Sequence, residues 1–267
     1  MNADSLYRAG QLQAAIDAQI QAVKAAPADK GKRLFLFELL AFAGDLDRAR
    51  RQIDVVSYDE LELEAQVLDY KKLLDAEQLR RRLFSEGLKP EFFAPPSEHV
   101  HLRLEAVNRL RENNVAEAGA LLVRAGDLTP ALKGHLNDKP FASLRDCDDL
   151  FASVLEVMAR GVYYWVPLDQ VAALSVNPPK FPRDLVWIPA RLEMKDNAAG
   201  NVFLPALYAR SHEHPDNQVK LGRLTDWQGP DSGPVFGVGL RTFLADDDPI
   251  PLLEWRQLEI TETIPPA

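Results

Sequence analysis

The sequence has little of what would announce a chemistry. Cys147 is its only cysteine, which excludes an internal disulfide and a cysteine-rich metal centre and is compatible with a reducing compartment. Basic residues are outnumbered, 31 Lys and Arg against 40 Asp and Glu for a net charge of −9, and that balance argues against a nucleic-acid partner, whose affinity comes from clustered cations. No run of about 20 apolar residues could span a bilayer. The opening stretch MNADSLYRAGQLQAA lacks the basic start and apolar segment of a secretory signal. These absences predict a cytoplasmic protein with no membrane and no nucleic-acid partner. Catalytic signatures are also missing: there is no serine elbow, phosphate-binding Walker loop or zinc-protease motif. Gly237-Val238-Gly239-Leu240 lacks the third glycine and following helix of a dinucleotide loop, so it reads as a strand kink.

What is present is a chain 46% hydrophobic, enough for a sizeable core, whose first half repeats itself. Gly10 and Ala15 recur as Gly44 and Ala49, a period of 34 residues that belongs to helix-pair repeats. The glycine suits a tight inter-helix turn, and the small alanine allows the second helix to cross the first closely. Ala22 and Pro27 complete a tetratricopeptide-like spacing, which Asn113, Ala118, Ala125 and Pro130 keep without the turn glycine. Between these copies Tyr58 to Glu86 reads as one long helix ended by Gly87, and the loop Glu91-Phe92-Phe93 is expected to pin itself down through its aromatics. Ser97 is placed as the cap of a helix running over His99–Arg111. Residues 1 to about 130 thus hold five or six helices, and the three arginines Arg80, Arg81 and Arg82 read as a solvated face.

The hinge of this reading is Phe141 to Leu192. Asp146, Asp148 and Asp149 are expected to start a helix that carries Leu150, Phe151, Val154, Leu155 and Met158 and is stopped by Gly161. A strand Val162–Val166 follows, then a strand end at Pro167 or a short helix Leu168 to Leu174. Strands are expected over 185–193, 202–208, 218–224, 235–242 and 252–258, joined by turns at 196–200 and 228–233. The fold class is therefore α+β: an irregular tetratricopeptide-like helical stack, residues 1–145, followed by residues 146–267 as an α+β unit with a curled, mainly antiparallel sheet or small barrel. Without a low-complexity linker, the halves should pack together through Val154, Leu155 and Trp165.

The candidate recognition residues are the aromatics Tyr163, Tyr164 and Trp165, and the string Arg223, Asp226 and Trp227, whose local alternative is a packed tryptophan beside a capped turn. His212 and His214 lack an identifiable third ligand, and His99 and His101 do not share a helix face, so no metal or cofactor is expected. Three aspartates around Cys147 should raise its thiol pKa, which discounts a nucleophile.

The strings GQLQAAIDAQ, RLFLFELLAFAGDLDRA, DCDDLFASVLEVMARGVYYWVPL, DLVWIPARL and GRLTDW together resemble the ImpE/TagJ family, accessory proteins of bacterial type VI secretion systems, over about residues 5 to 260. The resemblance implies a cytoplasmic, non-enzymatic protein that binds the small sheath subunit through an N-terminal helix of that subunit. It would thereby influence sheath handling by the AAA+ disassembly ATPase. The alternative reading is a hydrolase or small-molecule binder, with a pocket between the β half and the helices that uses Asp226, Arg223 and the Tyr163–Trp165 aromatics.

Overall fold

The computed structural model describes residues 2–231 and 233–266, so Ser232, in the expected turn at 228–233, lies outside the described residues. Seven helices come first, against the five or six expected: α1 (Ala3–Arg8), α2 (Leu12–Ala25), α3 (Lys30–Phe42), α4 (Leu46–Ile53), α5 (Leu61–Glu86), α6 (Glu98–Arg111) and α7 (Val115–Asp127). The 34-residue period has a direct structural counterpart. Gly10 (φ 75°) and Gly44 (φ 74°) take the left-handed conformation between α1 and α2 and between α3 and α4, where a side chain is disfavoured. Asn113 does the same at φ 58° between α6 and α7, since asparagine tolerates that region better than other side chains. Ala15, Ala49 and Ala118 are fully buried at the crossings. Gly87 closes α5 in the left-handed conformation at φ 77°.

The helical stack ends at Asp127 and the strands begin at Ala131, earlier than the expected division at 145/146. Strands β1 (Ala131–Leu136), β2 (Lys139–Phe141), β3 (Leu144–Asp146), β4 (Val154–Ala159), β5 (Val162–Pro167), β6 (Val171–Val176), β7 (Trp187–Met194) and β8 (Ala199–Pro205) follow. After the one-turn helix α8 (Asn217–Lys220) come β9 (Thr225–Gln228), β10 (Phe236–Gly239), β11 (Thr242–Ala245), β12 (Asp248–Pro251) and β13 (Gln257–Ile264). Eight strands form one antiparallel sheet in the order β2-β1-β13-β6-β7-β8-β4-β5; β12-β11-β3 and β10-β9 form two smaller ones.

The expected helix from Asp146 to Arg160 is absent. Asp146 Oδ1 accepts from the Asp148 amide at 2.9 Å, and Asp148 Oδ1 accepts from the Leu150 amide at 2.8 Å, so these aspartates hold successive tight turns in competition with a helix. Val154–Met158 is apolar on both faces because β4 is buried on both, a pattern that periodicity does not separate from a buried helix. Arg160 (φ 54°) and Gly161 (φ 88°) then make a two-residue hairpin turn into β5, with Ala159 opposite Val162. The expected strand 218–224 is likewise a correction: Asp216 accepts from the Gln218 amide at 2.8 Å to cap α8, and Gly222 turns the chain at φ 65°. The expected strand at 235–242 divides into β10 and β11. That at 252–258 is a 3₁₀ turn (Leu252–Glu254) running into β13, and the short helix after Pro167 is a 3₁₀ turn (Leu168–Gln170) followed by β6. Ser97 stands at the start of α6 without a side-chain capping bond.

The sheet separates two cores. Val154, Met158, Trp165 and Trp187 pack with the helices, while Leu155, Val166 and Ile188 point to the opposite face, which Phe243, Leu252 and Trp255 help fill. Val154 and Trp165 thus join the halves as expected, whereas Leu155 faces away from the helices because side chains alternate along a strand.

Candidate functional site

Two features lie where the helices meet the β half: a buried network of charges and a cavity beside it. The network is centred on Glu156, on the helix-facing side of β4 and buried. It accepts two hydrogen bonds from Arg80 of α5, Nε at 2.7 Å and Nη2 at 2.8 Å, and further bonds from Arg241 and the Tyr163 hydroxyl. Arg80 Nη2 also donates to the Leu207 carbonyl at 2.8 Å. Arg241 lies 3.2 Å from Asp146, which accepts from the Tyr208 hydroxyl at 2.6 Å. Burial alone would raise the Glu156 pKa; the Arg80 and Arg241 guanidiniums reverse this and hold it below the ordinary carboxylate value. Asp146, where burial outweighs Arg241, is pushed up to about 6, and Asp148 to about 7 by burial and the neighbouring Asp146 charge. Arg80 is therefore an interior residue, a correction to the solvated-face reading, which holds for Arg82.

The cavity, about 800 Å3, opens between α5, the α6–α7 turn, the loop after β8 and β10. Its walls include Arg81, Phe84, Arg111, Phe151, Arg210 and His212. Arg81 donates to the Gly44 carbonyl at 2.7 Å and, more weakly, to Glu77 at 3.4 Å. Burial holds the His212 pKa down to about 4, helped by Arg81, so at neutral pH its imidazole is uncharged.

The six candidate residues do not converge on one place. Tyr163 and Trp165 are buried, and the Trp165 indole donates to the Tyr163 hydroxyl at 2.6 Å, which makes both part of the Glu156 network. Tyr164 points to the other side of β5 and stacks on Phe93, ring centres 4.2 Å apart. That stack, with Glu91 bonded to the Tyr163 carbonyl at 3.0 Å and to the Trp165 amide at 3.1 Å, pins the loop after α5. Arg223 donates to the Tyr7 and Arg8 carbonyls at 2.8 and 3.1 Å and so caps α1. Asp226 lies 3.3 Å from His214 Nε2, and Trp227, though exposed, packs edge-on to Tyr208. The residue set expected for a junction pocket is thus not the set that lines it. Arg223 is drawn away by the open carbonyls of a helix end, and the aromatics by the alternation of β5.

Among the described residues there is no group of three or more His, Cys, Asp or Glu side chains placed to hold a metal ion. His214 is engaged with Asp226, and His99 is buried with Nδ1 3.2 Å from Ser153 Oγ, tying α6 to the loop before β4. The Cys147 thiol is pushed up to about 11, first by burial and then by Asp146, which disfavours the nucleophilic thiolate. No helix among the described residues is long and apolar enough to cross a membrane.

Comparison with known proteins gives three findings. A family model described as ImpE protein matches residues 138–259, which is most of the β half. The type VI secretion system accessory component TagJ of Pseudomonas aeruginosa is 37% identical over 263 residues, covering 98% of this chain and 92% of that protein. The crystal structure of protein VPA1032 from Vibrio parahaemolyticus superposes with a TM-score of 0.88 over 97% of each chain at 24% identity, a likeness of fold. With helix-pair repeats leading into an antiparallel sheet, and identity sustained through both, the chain belongs to the ImpE/TagJ family.

Proposed function

We propose that this chain is a non-enzymatic accessory protein of a bacterial type VI secretion system, one that captures a helix of the small sheath subunit and so modulates sheath assembly or its ATPase-driven disassembly. The observation that carries the reading is the identity to TagJ, which runs along nearly the entire chain rather than through one segment. Helix capture suits a repeat stack because apolar side chains at helical spacing fill a trough while the partner's backbone bonds stay internal. Leu61, Leu63 and Leu68, exposed in the first turns of α5, and Leu224 and Trp227, exposed around the start of β9, are the apolar surfaces such a partner would use. Trp227 and Asp226 remain the proposed recognition residues of the β half; Tyr163, Trp165 and Arg223 support the fold beneath them.

The test is calorimetric titration with a synthetic peptide of the sheath subunit's N-terminal helix, beside a control whose apolar stripe is changed to serine. Several buried side chains, less the ordering cost, give an expected affinity of about micromolar order for the first peptide and none for the second. Equal binding of both peptides, or of neither, sinks the reading. A second reading, a small-molecule binder, is favoured by one observation, the cavity of about 800 Å3 at the helix–sheet junction, a size typical of ligand sites.

A further inference from the structure

The junction cavity combines apolar walls with cations from three separate elements. Phe84 of α5 and Phe151 meet edge to face, ring centres 6.3 Å apart, and Phe236 of β10 also faces the space. Arg81 comes from α5, Arg111 from the last turn of α6 and Arg210 from the loop after β8. Glu77 is spent between Arg80 and Arg81, and Asp148 turns its oxygens to the amides of Leu150 and Gly237 at 2.8 and 2.9 Å. Arg111 donates to Asn108 at 3.4 Å and has no carboxylate partner among the described residues. Arg210 pairs with Glu213 at 2.7 Å, but both side chains are largely exposed, and such a pair exchanges readily for another carboxylate.

Arg210 carries an additional signal. Its backbone is left-handed at φ 65°, where glycine sits without steric cost and an arginine does not. Its side chain spans the 3₁₀ turn Ser211–Glu213 to reach Glu213, which keeps the guanidinium at the edge of the cavity. A guanidinium presents two parallel donors to a carboxylate, which a lysine would not.

We propose that the cavity binds a small apolar carboxylate, its hydrocarbon among Phe84, Phe151 and Phe236 and its carboxylate held by Arg210 and Arg111; this rests on the second reading of the function. The class follows from the walls: aromatic rings favour an apolar body, and guanidiniums at the opening favour a planar anion.

The experiment is a ligand-observed NMR titration of the full chain with 4-phenylbutanoate and, separately, with its neutral counterpart 4-phenylbutan-1-ol. The acid should bind at least about tenfold more tightly than the alcohol, a preference of the size that a charge-assisted bond supplies. Arg210→Gly should remove most of that preference while leaving the thermal midpoint unchanged or higher, because glycine relieves the backbone. Arg111→Gln, at an exposed site, is the second variant and should also weaken the acid selectively. If acid and alcohol bind equally, the carboxylate class is wrong while the small-molecule pocket stands. If neither binds, both fail. Retention of the full preference in both variants overturns the assignment of the arginines.

Discussion

Glu156 shows how much one side chain carries. It is the common acceptor for Arg80, Arg241 and Tyr163, so it joins α5, the segment after β10 and the β4–β5 hairpin in a space that water does not reach. Replacing it with alanine leaves two guanidiniums buried and short of partners. The expected loss is about 3–5 kcal/mol, read as a lower urea midpoint, and a midpoint within experimental error of the parent would show that the network is solvated after all. Arg80 was within reach of the sequence. On α5 it shares the buried face of Leu73, Glu77 and Leu83, and helical phase separates it from Arg82, which is exposed although the arginines are consecutive. Glu156 and Arg241 gave no such sign, since an isolated charge in a strand does not reveal what stands opposite it.

At the scale of elements, the inter-helix turns of the repeats face the 207–224 segment. Arg223 caps α1, a Cβ on Gly10 would strike the Gln218 side chain, and one on Gly44 would run into the His212 ring. Gly44→Ala should therefore cost more than the 1–2 kcal/mol usual for a left-handed alanine, because the imidazole must also move. Asn113→Gly, at the equivalent turn of the third pair, should change stability by less than about 1 kcal/mol. Chemical denaturation of the two variants checks the contrast; equal effects would mean that the turns are not docked. The repeats were legible because a glycine in a turn and an alanine at a crossing are local requirements. The β4 strand was not, since Val154–Met158 is apolar at every position but Glu156 and fits a buried helix as well as a strand with both faces covered.

For the whole molecule, the order of strands sets what can be separated. β1 lies between β2 and β13, so a cut at 145/146 removes β1 and β2 from the β half, severs β3 and strips the edge of β13. Trp165 and Trp187 would also lose the helices they pack against. Fragments 1–145 and 146–267 are expected not to fold alone, and the intact chain to unfold in one transition by far- and near-ultraviolet circular dichroism. Full native helix and strand content in both isolated fragments would overturn this.

The sequence by itself determined the helix-pair repeats, the long α5 with its glycine end, the strand Val162–Val166, a strand expected over 185–193 that the structure places at Trp187–Met194, and the family, because each rests on spacing between near neighbours or on ordered strings. Only the tertiary structure decided that Asp146–Asp149 make turns instead of a helix start, that residues 131–136 pair with the C-terminal strand, and that Arg80, Glu156 and Arg241 meet. It also decided that Tyr163 and Trp165 turn inward while Tyr164 faces the other side. The Arg80–Glu156 bond spans 76 residues of chain and the Lys133–Glu262 bond between β1 and β13 spans 129, and a local pattern carries no record of what a side chain will meet across such distances.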